Sequence, residues 1–476
     1  MPRGIPDDVK TIHLMAICGT GMGAFAGLLQ EAGYEVAGSD AGVYPPMSTQ
    51  LETWGIRLMD GFKPANLDWN PDLVVVGNAI RKTIDENEAL LERDLPYASF
   101  PETLGELFLS KRHPVVVAGT HGKTTTGSLL AWALHALGTD NGFLVGGVLE
   151  NFGKNFRVGA EGAPFVVEGD EYDTAWFDKV PKFVHYRPKS AIITSVEFDH
   201  ADIYRDLEHV REAFRAFVAL IPEDGLLLAC ADGPEVPPIA GQCAGKTLLY
   251  STRDHPDATW TGEVLGADPE GMDFAVNCAG DRFGVFRCAL VGEHNLANLV
   301  AVVGLLAEHG HAADDIAAAL AGYVGVQRRQ TVFGEPRGIT LIDDFAHHPT
   351  AVAATIEATK LRFGDRPVRV VFEPRTNTTR RAIFQEQYGT AFDAADQLLL
   401  APVHLPEKAP EGDRFDVQRL ADDATAHGTP AQVMDGVDSI IDRLVADAQP
   451  GDVVLILSNG GFGGIYARLP EALETA

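Results

Sequence analysis

The stretch Val115–Leu130, VVVAGTHGKTTTGSLL, decides how the chain folds. Its apolar opening, Val115–Ala118, predicts a buried strand, and Gly119 and Gly122 predict a tight turn with backbone N–H groups facing inward. The residues from Ser128 to His135 continue at helical spacing. A helix starting at that turn aims its unpaired N–H groups and the positive end of its dipole at an anion. In the common phosphate loop, G-x-x-x-x-G-K-[ST], an earlier glycine stands five positions before the second, and here Val117 takes that place. Lys123 and Thr124 still follow Gly122, offering an ammonium for outer phosphates and a hydroxyl for magnesium. The plain alternative is a strand-to-helix turn with a solvated lysine. The coincidence of glycine, lysine and three threonines at one helix start argues against it.

Bulk properties bound the rest. At 476 residues the chain exceeds what one core serves and predicts about three domains. With 46% hydrophobic residues and no run long enough to cross a bilayer, it predicts a soluble protein without a membrane partner. The opening MPRGIPDDVK has no apolar signal core, and five scattered cysteines, an odd count, argue against a disulfide framework. The expected location is cytoplasmic. A net charge of −29 opposes nucleic acid as a bulk partner, so a phosphorylated ligand must be held by local donors.

Residues 11 to about 110 alternate strand-like TIHLMAIC, YEVAGSD and DLVVVGNAI with helix-like GAFAGLLQEAG and ENEALLERD, the pattern of a parallel sheet covered by helices. A second and larger unit opens at His113-Pro114. It continues through PFVVEGDEYD, SAIITSVEFDH, DGLLLACAD and GEHNLANLVAVVGLL. A third α/β set begins with ITLIDDFAHHP and proceeds through VRVVFEPR, ADQLLLAPV and GDVVLILSNGGFGG, with HLPEKAPEGDRF as a polar surface loop. No short-period repeat is present. The expected domains are 1–111, 112–326 and 327–476.

Two constellations carry chemistry. In ICGTGMGA, Gly19, Gly21 and Ala24 fit G-x-G-x-x-[GA], and Asp40 follows about twenty residues later, where an acid meets a ribose. NAD and a UDP-sugar fit this spacing equally well. In the second unit Glu168, Asp170 and Glu171 follow one predicted strand, and Glu197, Asp199 and His200 follow another, at ends where ligands of open α/β sheets collect. Taken singly, each acid reads as a solvated strand end. Oxygen ligands such as Thr124 and Glu168 suit magnesium bound to a nucleoside triphosphate, and His200 is a less usual neighbour for that ion.

The segments GTHGKTTT, VEGDEYD, VEFDHADIY, GEHNLANLVAV, GVQRRQTVFG and IDDFAHHPT stand in the order and surroundings of the Mur ligase family. This resemblance to the ATP-dependent amide-forming enzymes of peptidoglycan metabolism covers nearly the whole chain. It implies three domains: a Rossmann-like N-terminal domain for the UDP portion, a central P-loop ATPase-like domain, and a C-terminal Rossmann-like α/β domain for the amine substrate. The shortened loop is the usual form in that family. Two kinds of member use UDP-N-acetylmuramic acid as acceptor, one adding L-alanine and one attaching the tripeptide L-Ala-γ-D-Glu-meso-diaminopimelate in peptidoglycan recycling. NFGKNFR, the run from Glu168 to Ile192, FEPRTNTTR and SNGGFGGI resemble the tripeptide-attaching kind. The alternatives are the L-alanine-adding ligase and, more remotely, an NAD-dependent oxidoreductase.

The resemblance also implies roles. ATP is expected at Gly119, Thr120, His121, Gly122, Lys123, Thr124 and Thr125, with the backbone of Thr120 to Gly122 cradling phosphates and Lys123 meeting the moving γ-phosphoryl charge. His294 and Asn295 resemble adenine-binding residues, although a capping asparagine explains Asn295 equally. Arg328 and Asp344 reach the nucleotide. Mg2+ is expected on Thr124, Glu168 and His200, the last also catalytic. The UDP portion is expected at Gly19, Thr20, Gly21, Met22, Gly23, Ser39, Asp40 and Asn78. Arg375, His348, Ser458 and Asn459 are the weaker peptide-binding candidates, and a surface ion pair is an equal reading of Arg375. His347 stands beside them with no assigned role. The lysine that several members carbamylate after the DH motif has no counterpart, since no lysine lies between Lys189 and Lys246. A monomer or weak oligomer is expected.

Overall fold

The computed structural model describes residues 4–43, 47–201, 203–253 and 255–475. They form two compact units. The first comprises Met1–Glu197, Glu208–Trp260 and Ala301–Ala319, and the second Phe198–Leu207, Thr261–Val300 and Leu320–Ala476.

The first unit opens with a parallel sheet of β1 (Thr11–Met15), β2 (Glu35–Asp40), β3 (Arg57–Asp60), β4 (Leu73–Val76) and β5 (Tyr97–Ser99), ordered β3-β2-β1-β4-β5. Strand order reverses at β1, and the Gly19–Gly23 turn and Asn78 follow the carboxyl ends of β1 and β4. That is the crevice where open α/β sheets bind ligands. All four residues of β4 are buried, as expected for a strand covered on both faces.

The strands β6 (His113–Ala118), β7 (Gly142–Leu149), β8 (Lys154–Arg157), β9 (Pro164–Gly169), β12 (Ser190–Ile193), β13 (Leu226–Cys230) and β14 (Lys246–Ser251) run in the order β14-β13-β12-β6-β9-β7-β8. A small antiparallel pair, β10 (Asp173–Ala175) and β11 (Asp178–Pro181), leaves the end of β9. Because β6 lies between β9 and β12, in parallel with both, the loops after all three emerge at one edge. Trp54 meets Phe156 edge-on at 5.0 Å between the two sheets. Gly27 leaves room for that contact, since a Cβ there would stand 2.3 Å from the Phe156 ring.

In the second unit, β15 (Trp260–Asp268), β16 (Gly271–Cys278) and β17 (Asp281–Cys288) are ordered sequentially, with β16 and β17 antiparallel. The C-terminal sheet contains β18 (Thr331–Gly334), β19 (Thr340–Asp344), β20 (Val368–Phe372), β21 (Gln397–Leu400), β22 (Ala431–Val433) and β23 (Val453–Leu457), ordered β18-β19-β23-β20-β21-β22 and parallel except for β18. Val453, Leu455 and Leu457 join the core on one face, and Val454 and Ile456 the core on the other. This is the period-two division of a sheet buried on both sides.

Candidate functional site

The turn between β6 and the helix Lys123–Ala136 is built from backbone conformations that side chains disfavour. Gly119 has φ +143°, and a Cβ there would lie 2.0 Å from Thr194 Oγ1. Gly122, at the helix N-cap, has φ +79°. The segment after β12 braces the turn: Thr120 N–H donates to the Ser195 carbonyl at 3.0 Å, and His121 N–H to Ser195 Oγ at 3.0 Å. Thr120 Oγ1 also accepts from Glu197 N–H at 2.8 Å. Two of the amides expected to cradle phosphate therefore hold the loop together. The N–H groups of Gly122, Lys123, Thr124 and Thr125, at the first turn of the helix, remain the donors aimed outward.

Three acids at the end of β9 and just beyond it meet three different partners. Glu168 Oε2 accepts from Thr124 Oγ1 at 3.0 Å, while its other oxygen accepts from Gly146 N–H. Asp170 pairs with Lys182 Nζ at 2.5 Å and accepts from Tyr172 N–H at 3.2 Å. Glu171, buried, pairs with Lys123 Nζ at 2.9 Å. Burial opposes the charge on Asp170, but Lys182 and Lys123 outweigh it and hold the carboxyl well below the usual range. Burial likewise opposes the charge on Lys123, and Glu171, Asp170 and Glu168 together raise its pKa. Lys123 is an ammonium at neutral pH. Octahedral magnesium with oxygens at about 2.1 Å places neighbouring ligands about 3.0 Å apart, so the Thr124–Glu168 pair fits that ion.

The N-terminal glycine turn is organised by Asp40. Its Oδ2 accepts from Cys18 N–H at 2.8 Å and its Oδ1 from Gly42 N–H at 2.9 Å. The carboxylate thus shapes the turn through both of its oxygens. Ser39 differs from its expected place facing a ligand. It is fully buried, and its hydroxyl donates to Glu86 Oε1 at 2.8 Å, alongside His13 at 2.6 Å and an Asn66 donation to Oε2 at 2.7 Å. Gly23 is covered by Met47, and Met22 is buried, whereas a Cβ on Gly21 would meet nothing within 4 Å. Thr20 opens the helix Thr20–Glu31, Gly19 caps it, and Asn78 is exposed. Burial, then Asp40, pushes the Cys18 thiol up to about 11, so no thiolate stands at this turn.

The second unit carries the other candidates. His200 has φ +54° and donates its N–H to Asp199 Oδ1 at 2.6 Å. Thr378 Oγ1 donates to the same oxygen at 3.1 Å. Burial works against the Asp199 charge, but His200 and His347 lead in drawing its pKa down to about 2. Asn295 donates to the Val291 carbonyl at 2.9 Å and accepts from Asn298 at 3.3 Å, and His294 precedes it in the first turn of the helix Glu293–Glu308.

Arg328 is tied to Asp343 at 3.0 Å, the Ser458 carbonyl at 2.7 Å and Tyr466 OH at 3.0 Å. Asp344 is buried and accepts from Gln330 N–H at 2.8 Å and Ala346 N–H at 2.7 Å. Arg328 thus joins the ends of β19 and β23, and Asp344 ties the segments that flank β18 and β19. His348 caps the helix Pro349–Phe363. Ser458 is turned inward onto Glu373, unlike its expected ligand-facing place. Asn459 Nδ2 donates to the Phe345 carbonyl at 3.1 Å, and Arg375 lies over Gly460 and reaches Glu373 at 3.5 Å.

Sequence reasoning missed Thr194 and Ser195 as loop braces, Gly146 as a Glu168 donor and Glu171 as the partner of Lys123. Only the position of Thr194 and Ser195, directly after a strand neighbouring β6, signals their role.

The profile described as Mur ligase family, catalytic domain, matches residues 11–112. The Mur ligase middle domain matches 117–306, and the Mur ligase, glutamate ligase domain, matches 328–460. The chain is 39% identical over 465 residues to the UDP-N-acetylmuramate–L-alanyl-γ-D-glutamyl-meso-2,6-diaminoheptandioate ligase of Escherichia coli K12, covering 97% of this chain and 98% of that one. It is 33% identical over 478 residues to the UDP-N-acetylmuramate–L-alanine ligase of Rhizobium etli, covering 99% and 98%. A crystal structure of a murein peptide ligase from Psychrobacter arcticus matches with a TM-score of 0.72 and 36% identity over 98% of this chain and 99% of that one. The UDP-N-acetylmuramate–alanine ligase of Thermotoga maritima matches at 0.79 with 24% identity over 98% and 100%, a likeness of fold. The three-domain α/β fold expected from the sequence is the fold these matches share.

Proposed function

The chain belongs to the Mur ligase family, and from that premise we propose that it is an ATP-dependent ligase joining the lactoyl carboxylate of UDP-N-acetylmuramic acid to L-Ala-γ-D-Glu-meso-diaminopimelate in peptidoglycan recycling. The observation that carries this reading is whole-length identity: 39% to the E. coli tripeptide ligase against 33% to an L-alanine ligase over a similar span. The L-alanine-adding activity is the second reading, kept by that 33% match.

A carboxylate is a poor acyl donor until one oxygen becomes a good leaving group. The lactoyl carboxylate therefore attacks the γ-phosphorus of ATP, ADP departs, and the alanyl amine of the tripeptide then displaces phosphate from the acyl phosphate. Positioning and charge neutralisation dominate such a transfer. The N–H groups of Gly122–Thr125 bind phosphate oxygens, and Lys123 meets the charge on the terminal group. Thr124 and Glu168, with His200 assigned to the same ion by family resemblance alone, would hold Mg2+, which would supply neutralisation of phosphate charge.

His294, Asn295, Arg328 and Asp344 are proposed for the nucleotide. The Gly19–Gly23 turn and Asn78 take the UDP portion. Arg375, His348 and Asn459 take the peptide. Domains at 1–111, 112–326 and 327–476, a monomer or weak oligomer, and a cytoplasmic location complete the proposal; among the described residues no helix is long and apolar enough to cross a membrane. The test is phosphate release with UDP-N-acetylmuramic acid and each amine. Turnover with the tripeptide well above that with L-alanine supports the reading, and preference for free L-alanine overturns it.

A further inference from the structure

An ammonium has three N–H donors, and three acceptors already surround Lys123 Nζ. They are the Gly119 carbonyl at 2.5 Å, Glu171 Oε2 at 2.9 Å and the Thr120 carbonyl at 3.4 Å. A phosphate oxygen that takes a hydrogen bond from this group must displace one of them. Glu171 is 2% exposed, and parting it from its cation would strand a buried carboxylate, which is strongly unfavourable. The Gly119 carbonyl belongs to a turn braced through Thr120, His121, Thr194 and Ser195. The Thr120 carbonyl makes the longest of the three contacts and is the one given up at least cost.

The neighbouring acids have other partners: Asp170 pairs with Lys182, and Glu168 with Thr124 and Gly146. Glu171 is thus the acid of this run that touches Lys123.

We propose that Glu171 is a positioning residue for phosphoryl transfer: it holds the Lys123 ammonium against the loop so that an oxygen of the terminal phosphate takes the place of the Thr120 carbonyl. The same contact restrains how tightly Lys123 grips the triphosphate before reaction. Binding that is strong already in the ground state adds nothing to the chemical step. The inference rests on the ATP-ligase reading and adds to it a residue that touches no substrate.

The test compares full-length wild type with Glu171→Gln and Glu171→Ala. Magnesium–ATP binding is measured by calorimetry, and kcat and KM by phosphate release with UDP-N-acetylmuramic acid and the tripeptide. Glutamine keeps an acceptor but not the charge. ATP is expected to bind several-fold more tightly while kcat falls about tenfold, the scale of one charged hydrogen bond. Alanine, which also removes the acceptor, is expected to lower kcat further. Lys179→Ala, at an exposed position of the hairpin beyond the acids, should alter neither value. Unchanged kcat and ATP affinity in Glu171→Gln, or equal loss in both, would overturn the inference while leaving the ligase reading intact. A wild-type chain that takes up no magnesium–ATP would overturn both.

Discussion

Thr124 Oγ1 lies 3.0 Å from Glu168 Oε2, although 44 residues separate them in the chain. The pairing joins the start of a helix to the end of a neighbouring strand, and its spacing is that of adjacent oxygens on one magnesium ion. Glu168→Gln removes the one negative charge of the pair while nearly preserving its shape. In a magnesium series with fixed ATP, the variant is expected to need a higher metal concentration and to lose about a hundredfold in kcat/KM, roughly 3 kcal/mol of transition-state stabilisation. An unchanged magnesium dependence would remove Glu168 from the metal site.

Gly119 tests the loop itself. A methyl group at this residue must coexist with Thr194 Oγ1 at 2.0 Å and with Ser195 N at 2.9 Å, in a backbone region that alanine disfavours. Gly119→Ala is expected to destabilise the chain by about 1–3 kcal/mol and to lose ATP binding more completely than that figure alone implies. Thermal melting and nucleotide titration on one preparation check both effects. Wild-type ATP affinity in this variant would contradict the loop geometry.

Glu86 gathers His13, Ser39 and Asn66 in a buried network, with both members of the His13–Glu86 pair fully buried. Glu86→Leu leaves those groups without their acceptor. Equilibrium denaturation should show a loss of about 3 kcal/mol or more. A loss under about 0.5 kcal/mol, the range of an ordinary surface change, would show that the network contributes little.

Asp199 sets a pH dependence. Its carboxyl is drawn from 3.8 to about 2 in the folded chain, so the folded state favours the ionised form. Stability from this group is present above the unfolded pKa of about 4 and disappears as pH falls through about 2. Wild type should therefore exceed Asp199→Asn in stability by about 2 kcal/mol near pH 5, where an ordinary imidazole still carries its proton. The gap should close as pH falls through about 2, as urea melts at successive pH values would show. A constant gap down to pH 2 would mean that the contribution is not ionic.

Much of this was legible in the sequence, and the reasons are local. Strands such as Val115–Ala118, Leu398–Leu400 and Val453–Leu457 are continuous apolar runs because both of their faces are covered, and glycine turns or helical spacing bound them. The strands β15, β16 and β17 escaped notice. The β16–β17 hairpin turns on Ala279 and Gly280, both at positive φ, with Cys278 paired to Asp281. Alanine holds a place that Asn or Asp usually announces.

Site residues were legible as types more than as contacts. Ser39 and Asp40 read alike as strand-end polar groups, but β2 is buried along most of its length, and one side chain turns to Glu86 while the other ties the Cys18 amide. Glu171 was visible as one of three acids. Only the fold shows which acid takes Lys123, because Lys182, which comes eleven residues after Glu171, claims Asp170.

The central claim is that a phosphoryl group passes from ATP to the acid carried by the muramyl sugar before the peptide bond forms. Its most direct test labels both oxygens of the lactoyl carboxylate with oxygen-18 and analyses the released inorganic phosphate by mass spectrometry after turnover with ATP and the tripeptide. One labelled oxygen per phosphate is expected, because the departing phosphate carries away the carboxylate oxygen that attacked it. Amide product accompanied by unlabelled phosphate would contradict the account.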